Sequence, residues 1–162
     1  MPVLPFYQFE LKDKLNSKPQ CFDSFNFLFL LQGTGTIRCR NQLIHLKPHD
    51  FTFFNMYEIH QFLTFSPDAR VLSVLIHKSY IQSAVPELTD MTLNTHTVTP
   101  ESEPERYEFF CQEFGKFIYY HTVHSPGAQL HALSHLGNLL SYILNQLSTS
   151  SASALHGTQT RD

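Results

Sequence analysis

The hydrophobic period of the chain changes once along its length, and this change limits the folds open to it. Up to about residue 78, short apolar runs alternate with turn residues, and the repeat within the runs is mostly two. From residue 100 the apolar positions recur at steps of three and four, the spacing of an amphipathic helix. The pattern predicts a β-rich half followed by helices, rather than a parallel sheet with a helix after every strand.

The first half predicts a barrel or sandwich of short strands. Gly33-Thr34-Gly35 supplies a tight reversal, and the turn at 47–50 supplies another. Strands this short, with turns this frequent, are typical of antiparallel sandwiches and small barrels. The predicted strands lie at 6–11, 25–31, 36–40, 43–46, 51–54, 58–65 and 71–77.

The second half predicts two antiparallel helices, which makes the fold class α+β. The first helix begins either at Thr99-Pro100 or at Ser102–Pro104, because a hydroxyl cap followed by proline suits a first turn at both places. The second carries a leucine-rich stripe close to a heptad repeat. Residues 148–162 are small and polar and predict a linker or tail. We therefore divide the chain into a barrel at 1–98 with an N-terminal arm at 1–10, a helical segment at 99–147 and the tail.

Composition excludes several classes of protein. Charged residues make up 15% and aromatic residues 14% of 162 positions, which is the opposite of a disordered chain. A net charge of −3 argues against a surface that binds a phosphate backbone itself. No apolar run approaches the ~20 residues of a membrane span. Cys21, Cys39 and Cys111 form no metal or disulfide pattern and predict buried free thiols, hence a cytoplasmic protein.

Two stretches resemble the conserved segments of cupins. Residues 25–35, reading FNFLFLLQGTG, resemble the first, and residues 46–62, reading LKPHDFTFFNMYEIHQF, resemble the second. The second stretch is most similar to the N-terminal sensor domain of AraC-type transcriptional regulators, with a Pro-Gly-Asp turn before Asn-Pro-x-Glu-x-His. Here His49 stands at the glycine and Met56 at the second proline. The likeness covers about residues 1–147 and implies a cupin-like (double-stranded β-helix, or jelly-roll) barrel.

The resemblance also allows a test for metal. In metal-bearing cupins a carboxylate lies seven residues before the first turn glycine, and a His-x-His lies a few residues earlier. Here Asn26 stands at the carboxylate position, residues 19–22 contain no histidine, and only His60 matches a ligand. One imidazole does not make a catalytic site, which needs about three protein ligands. We therefore expect no metal, no cofactor, no catalytic residue and no enzymatic activity.

The family implies a sensor that binds a small-molecule effector in the barrel. The resemblance places Asn26 inward, so alternation puts Phe25, Phe27 and Phe29 on the opposite face. The same rule turns Glu58 inward with His60. The predicted ligand-binding residues are Asn26, Leu28, Phe53, His60, Phe62 and Ser73. The predicted homodimer contact is the stripe of Leu133, Leu136, Leu140, Ile143 and Leu147, and the alternative is that this stripe only packs onto the barrel. DNA would be bound only through a helix-turn-helix domain that follows the tail and is absent from these residues.

Other interpretations stay open at this stage. Glu58 and His60 are two apart on one predicted strand, and two interpretations fit them: an acid–base pair, or a polar end to an apolar pocket. His131 and His135 share a helix face, either as a metal pair or as a solvated or interface pair. The whole chain also fits a stand-alone cupin, as a metal-dependent enzyme or as a ligand-free dimerisation module.

Overall fold

The computed structural model describes residues 6–150, which fall into two compact units that divide between Met91 and Thr92. The predicted arm at 1–10 and the predicted tail at 148–162 therefore lie partly outside the described residues. Each unit is built mainly from elements that are local in sequence.

The first unit contains the seven strands that the sequence predicts, each within two residues of its predicted bounds. A short helix follows them, α1 (Lys78–Ala84), and then a 3₁₀ turn at Pro86–Asp90; neither was predicted. The strands are β1 (Tyr7–Lys12), β2 (Ser24–Gln32), β3 (Gly35–Cys39), β4 (Gln42–Leu46), β5 (Phe51–Phe54), β6 (His60–Phe65) and β7 (Arg70–His77).

These strands form two antiparallel sheets. Strands β1, β7, β2 and β5 lie side by side in that order, and β4, β3 and β6 form the second sheet. Residues directly opposite each other in an antiparallel pair share a face, so the register assigns the faces. Asn26 pairs with Leu75 and Leu28 with Ser73, which confirms that these side chains lie on one face. The architecture is the cupin-like barrel with helices that the sequence implied.

The barrel core lies between the two sheets. Partly buried Leu15 and Phe65 pack against it from the ends. Because both sheets contribute branched or aromatic side chains at every second position, apolar surface fills the interior from both sides. Its buried members are Leu28, Leu30, Phe54 and Val71 from the first sheet and Ile37, Cys39, Ile44, Leu46 and Phe62 from the second.

The other face of the first sheet carries a ladder of phenylalanines, as alternation predicts. Phe27 stacks near Phe53 at a ring-centre distance of 6.4 Å and tilts against Phe51 at 5.5 Å. Phe29 contacts Phe51 at 4.7 Å. Phe25, Phe27, Phe51 and Phe53 are all buried. Ring pairs at these distances stabilise the sheet beyond the burial of their area.

The turns explain two features of the sequence. His49, which stands where the related turn has glycine, adopts a φ of 75° and stacks on Phe29. Asp50 closes this turn by accepting a hydrogen bond from the backbone N–H of Lys47. Gly33 has a φ of 85°, and a Cβ there would lie 2.7 Å from the Cα of Ala69. Position 33 thus requires glycine on two grounds.

The second unit is a helical hairpin with three short strands. Helix α2 begins at Pro104, which selects the second of the two predicted starts. Its N-cap residue is Glu103. The Glu103 side chain makes no capping hydrogen bond to the helix backbone and forms an ion pair with Arg106. The elements are β8 (Met91–Leu93), β9 (Thr97–Val98), α2 (Pro104–Thr122), α3 (Ala128–Gln146) and β10 (Ser148–Ser150). Strand β10 pairs with β8, so the start of the predicted linker is ordered.

Helices α2 and α3 run antiparallel, as predicted, since contacts pair early residues of one with late residues of the other. Phe109 meets Tyr142, and Tyr120 meets His131. The leucine stripe predicted as a dimer contact is instead buried within the chain itself, at Leu133, Leu136, Leu140, Ile143 and Leu147. A second copy has no access to these side chains. Among the described residues, no helix combines the length and the apolarity needed to cross a membrane.

Candidate functional site

A polar pair lies in the otherwise apolar barrel. Asn26 comes from β2 and His60 from the start of β6, and they are 3% and 2% exposed. The Asn26 Nδ2 and His60 Nε2 atoms are 3.4 Å apart. The two sheets therefore bring together two side chains that are 34 positions apart in sequence. Both were predicted as site residues.

The hydrogen bonds around His60 determine which of its nitrogens accepts. Its Nδ1 lies 3.1 Å from the backbone oxygen of Glu58, which can only accept, so Nδ1 carries the proton in the neutral ring. Nε2 is then the acceptor for the Asn26 amide N–H. The Asn26 Oδ1 atom is left buried without a hydrogen-bond partner among the described residues. A buried carbonyl without a donor costs about 1–3 kcal/mol.

Aromatic rings surround the His60 imidazole. Phe54 stacks on it with a ring-centre distance of 4.1 Å, and Phe22 and Phe62 lie at 5.8 and 5.9 Å. A cupin-type metal would require about three ligating side chains at this place. An amide and three phenylalanine rings do not supply them. Asn26, Phe22, Phe54 and Phe62 therefore add no metal ligand to His60, whereas Cys39 and Glu58 are the ligating side chains near it.

The segment before β2 is bonded to the start of β6. The backbones of Gln20 and His60 exchange two hydrogen bonds, of 2.8 and 3.0 Å. Gln61 Nε2 donates to the backbone oxygen of Ser17 at 2.9 Å. A cavity of about 260 Å³ is lined by residues 10–16, by Gln20 and by Phe62.

Five of the six predicted ligand-binding residues lie on the inner face. Asn26, His60 and Phe62 come together. Leu28 and Ser73 are cross-strand neighbours on the same face and belong to its apolar and hydroxyl lining, respectively.

The placement of Phe53 was wrong. Phe53 pairs with Phe27, so it belongs to the phenylalanine ladder, and Phe54, which pairs with Asn26, occupies the inner face. The run Phe51–Phe54 is buried throughout and shows no alternation, so a one-residue error in register exchanges its faces. Sequence reasoning also missed Phe22, which lies outside any strand and whose position depends on the bridge between Gln20 and His60.

Glu58 does not form an acid–base pair with His60. Its Oε1 accepts a hydrogen bond from the backbone N–H of Asn55 at 3.1 Å, and its Oε2 lies 3.1 Å from Arg40 Nη2. Only its backbone oxygen contacts the His60 ring. Nearby, burial together with the Glu58 charge raises the pKa of Cys39 to about 11, so that thiol stays protonated and unreactive. Cys21 and Cys111 are exposed, contrary to the expectation of three buried thiols.

Comparison with solved structures confirms the fold. The AraC-like transcriptional activator CuxR matches with a TM-score of 0.57 at 8% identity over 80% of this chain and 45% of CuxR. ToxT from Vibrio cholerae matches with a TM-score of 0.50 at 9% identity over 88% of this chain and 58% of ToxT. A cupin-2 protein from Shewanella frigidimarina NCIMB 400 overlaps 48% of this chain and 76% of its own, with a TM-score of 0.38 at 18% identity. No protein-family model matches the sequence, and no curated protein does.

The AraC-like activator CuxR and ToxT share this fold over part of their length. At these identities the likeness concerns the fold alone, and it bears out the architecture that the two sequence motifs implied. The chain spans about half the length of CuxR and of ToxT.

Proposed function

We propose that this chain is the ligand-sensing part of an AraC-type transcription regulator. It binds a small-molecule effector in the barrel, catalyses no reaction, and controls DNA binding by a helix-turn-helix domain outside these 162 residues, in the cytoplasm. The main support for an effector site is that the buried Asn26 Oδ1 atom has no hydrogen-bond donor among the described residues. An interior evolved only for packing would place an apolar side chain there.

The chemistry of the pair indicates what the effector must offer. Asn26 Oδ1 accepts a hydrogen bond, so the effector supplies an O–H or N–H at that point. Phe54, Phe62 and Leu28 supply apolar surface around it. A pocket of apolar walls with one or two oriented polar groups is the usual form of a small-molecule site.

His60 connects the effector site to the segment before β2. Its backbone pairs with Gln20, and its ring contacts Phe22. An effector that displaces the imidazole from Asn26 therefore acts on residues 13–23 through direct contacts. Such a ligand changes the conformational equilibrium only through its different affinities for the two states.

Thermal unfolding with a ligand panel tests the proposal. The panel contains neutral sugars, polyols and alcohols, with acetate and citrate for comparison, and is applied to wild type, Asn26→Leu and Leu30→Met. Leu30→Met is the control because it changes the same inner face but keeps the polar pair. We expect at least one donor-bearing compound to raise the Tm of wild type and Leu30→Met but not of Asn26→Leu. An equal shift in all three proteins contradicts the site, and so does a panel without any shift.

Metal analysis tests the alternative of a stand-alone cupin enzyme. Stoichiometric iron, zinc or manganese in purified wild type that disappears in His60→Leu would overturn the sensor. The homodimer remains part of the proposal and is measured by sedimentation. Its contact must lie outside the buried leucine stripe, since those side chains are enclosed by their own chain.

A further inference from the structure

The outer face of the three-stranded sheet carries a second cleft, which shares His60 with the barrel site. It measures about 480 Å³ and lies over the ends of β3 and β6. Arg38 and Arg40 form its cationic side, and Pro19, Tyr57 and Ile59 form its apolar side. We propose that this cleft binds a small organic oxyanion, a carboxylate or phosphate carried on an apolar body. This ligand is distinct from the barrel effector, and its cationic contacts come from Arg38 and Arg40, which are not barrel-site residues.

The strand alternation and the turn after β3 explain why two arginines meet here. Cys39 points into the barrel core, so its strand neighbour Arg38 projects outward. Arg40 follows the end of β3 in the turn, with a φ of 56°, and its side chain also lines the cleft. Arg40 is already paired with the Glu58 carboxylate, which lies buried at the base of the cleft. The Arg38 guanidinium has no hydrogen-bond or ion-pair partner among the residues that the structure describes. Two cations therefore face one anion, and the cleft carries an excess positive charge in a chain whose net charge is −3.

The apolar side of the cleft is unusually exposed. Tyr57 is 51% and Ile59 62% exposed, although both are large hydrophobic residues. Tyr57 also holds a left-handed backbone conformation with a φ of 62°, which is unfavourable for a residue with a Cβ. The turn is fixed by hydrogen bonds from Tyr57 N–H to Phe22 O and between Asn55 and Glu58. The strained backbone thus presents the phenol ring beside the arginines, as strain at ligand sites does elsewhere.

These features define the ligand by its chemistry. A guanidinium binds the two oxygens of a carboxylate or a phosphate in parallel, and Arg38 has all its donors available for this. The ring of Tyr57 and the side chain of Ile59 contact an apolar body next to the charged group. A cleft of this volume is of the size that holds a small molecule.

A titration by NMR with ¹⁵N-labelled protein at low salt tests the site. The probes are benzoate, phenyl phosphate, inorganic phosphate and benzyl alcohol. Wild type is compared with Arg38→Gln, and with Lys116→Gln as a control that removes one positive charge in the second unit. We expect benzoate or phenyl phosphate to shift the amide signals of residues 38–41 and 57–61. Arg38→Gln should weaken that binding about tenfold or more, while Lys116→Gln should not.

Each outcome decides one part of the proposal. Tighter binding of benzoate identifies a carboxylate site, and tighter binding of phenyl phosphate identifies a phosphate site. If inorganic phosphate binds as tightly as phenyl phosphate, the apolar side of the cleft does not contribute to binding, and that part of the proposal is wrong. Benzyl alcohol bound as tightly as the anions, or equal losses in both variants, overturns the site. Because Arg38 lies outside the barrel, Arg38→Gln should keep any effector-induced shift in Tm, so failure here leaves the sensor proposal intact.

Discussion

The two faces of β2 are equally buried but chemically different. Phe25 and Phe27 on one face are 1% exposed, and Asn26, Leu28 and Leu30 on the other are 1–3% exposed. On the phenylalanine face the rings pack against each other and bring no polar side-chain group. The inner face includes an amide whose oxygen has no donor. The proposed effector site therefore rests on the unsatisfied Asn26 oxygen and not on burial, which both faces share.

We therefore expect the two faces to have different roles. The phenylalanine ladder has the same apolar character along its whole length, so it stabilises the sheet and selects no ligand. The inner face combines apolar walls with Asn26 and His60. Buried polar groups that are only partly hydrogen-bonded destabilise a core, but the same groups can bind a polar group of a ligand.

The largest expected effect concerns the phenylalanine ladder. Phe27→Ala removes a fully buried ring that contacts Phe51 and Phe53, and it should lower the free energy of unfolding by about 3–5 kcal/mol. Denaturant unfolding measures this loss. Leu43→Ala serves as the control, because Leu43 is 52% exposed and should change stability by less than about 0.5 kcal/mol. If Phe27→Ala cost as little as its control, the ladder would not be the structural face.

The second unit provides a satisfied polar cluster for comparison. His135 Nδ1 lies 2.6 Å from Glu113 Oε2, and Asn138 Nδ2 donates to the same oxygen at 3.2 Å. The His131 and His135 rings both stack on Tyr120, so an aromatic and carboxylate environment holds the pair that the sequence left open as a metal site. Burial alone would raise the pKa of Glu113, but the bonds from His135 and Asn138 outweigh it and hold the pKa below its usual value.

This cluster should stabilise the hairpin in a pH-dependent way. Because the pKa of Glu113 is lowered by folding, its contribution is present above the ordinary value of 4.5 and is lost as the pH falls through the lower folded value. Glu113→Gln should cost about 1–2 kcal/mol at neutral pH and progressively less in acid. Glu108→Gln, on the exposed side of the same helix, should cost less than about 0.5 kcal/mol at every pH. A pH-independent loss in Glu113→Gln would contradict the assignment.

Periodicity predicted the elements well because it reports which side chains are buried. It placed all seven strands, both long helices and the alternation of β2. It could not report what buries them, which is why the stripe from Leu133 to Leu147 was assigned to a partner although its own chain encloses it. Short elements with little periodicity, such as α1 and β8–β10, carried no signal of this kind.

The site was only partly predictable for a related reason. Asn26 and His60 were found through motif positions, but their contact depends on how two sheets face each other. Phe54 was confused with Phe53 because their run has no polar residue that marks a face. The direction of the Glu58 carboxylate depends on the turn at Asn55 and on Arg40, and strand alternation does not apply there, since β6 begins only at His60.

The sharpest comparison is between two buried asparagines. Both amide atoms of Asn55 are used, since Nδ2 donates to Met91 O at 2.9 Å and Oδ1 accepts from Met56 N–H at 2.8 Å. Asn55→Leu should therefore cost about 2–3 kcal/mol. Asn26→Leu loses one long hydrogen bond and leaves His60 Nε2 without that donor, but it also removes a buried oxygen without a donor. The two effects offset each other, so the free protein should stay within about 1 kcal/mol of wild type. Denaturant unfolding of both variants without ligand measures this. A loss in Asn26→Leu as large as that in Asn55→Leu would make Asn26 a structural residue, since the unsatisfied oxygen would then have had a partner in the free protein.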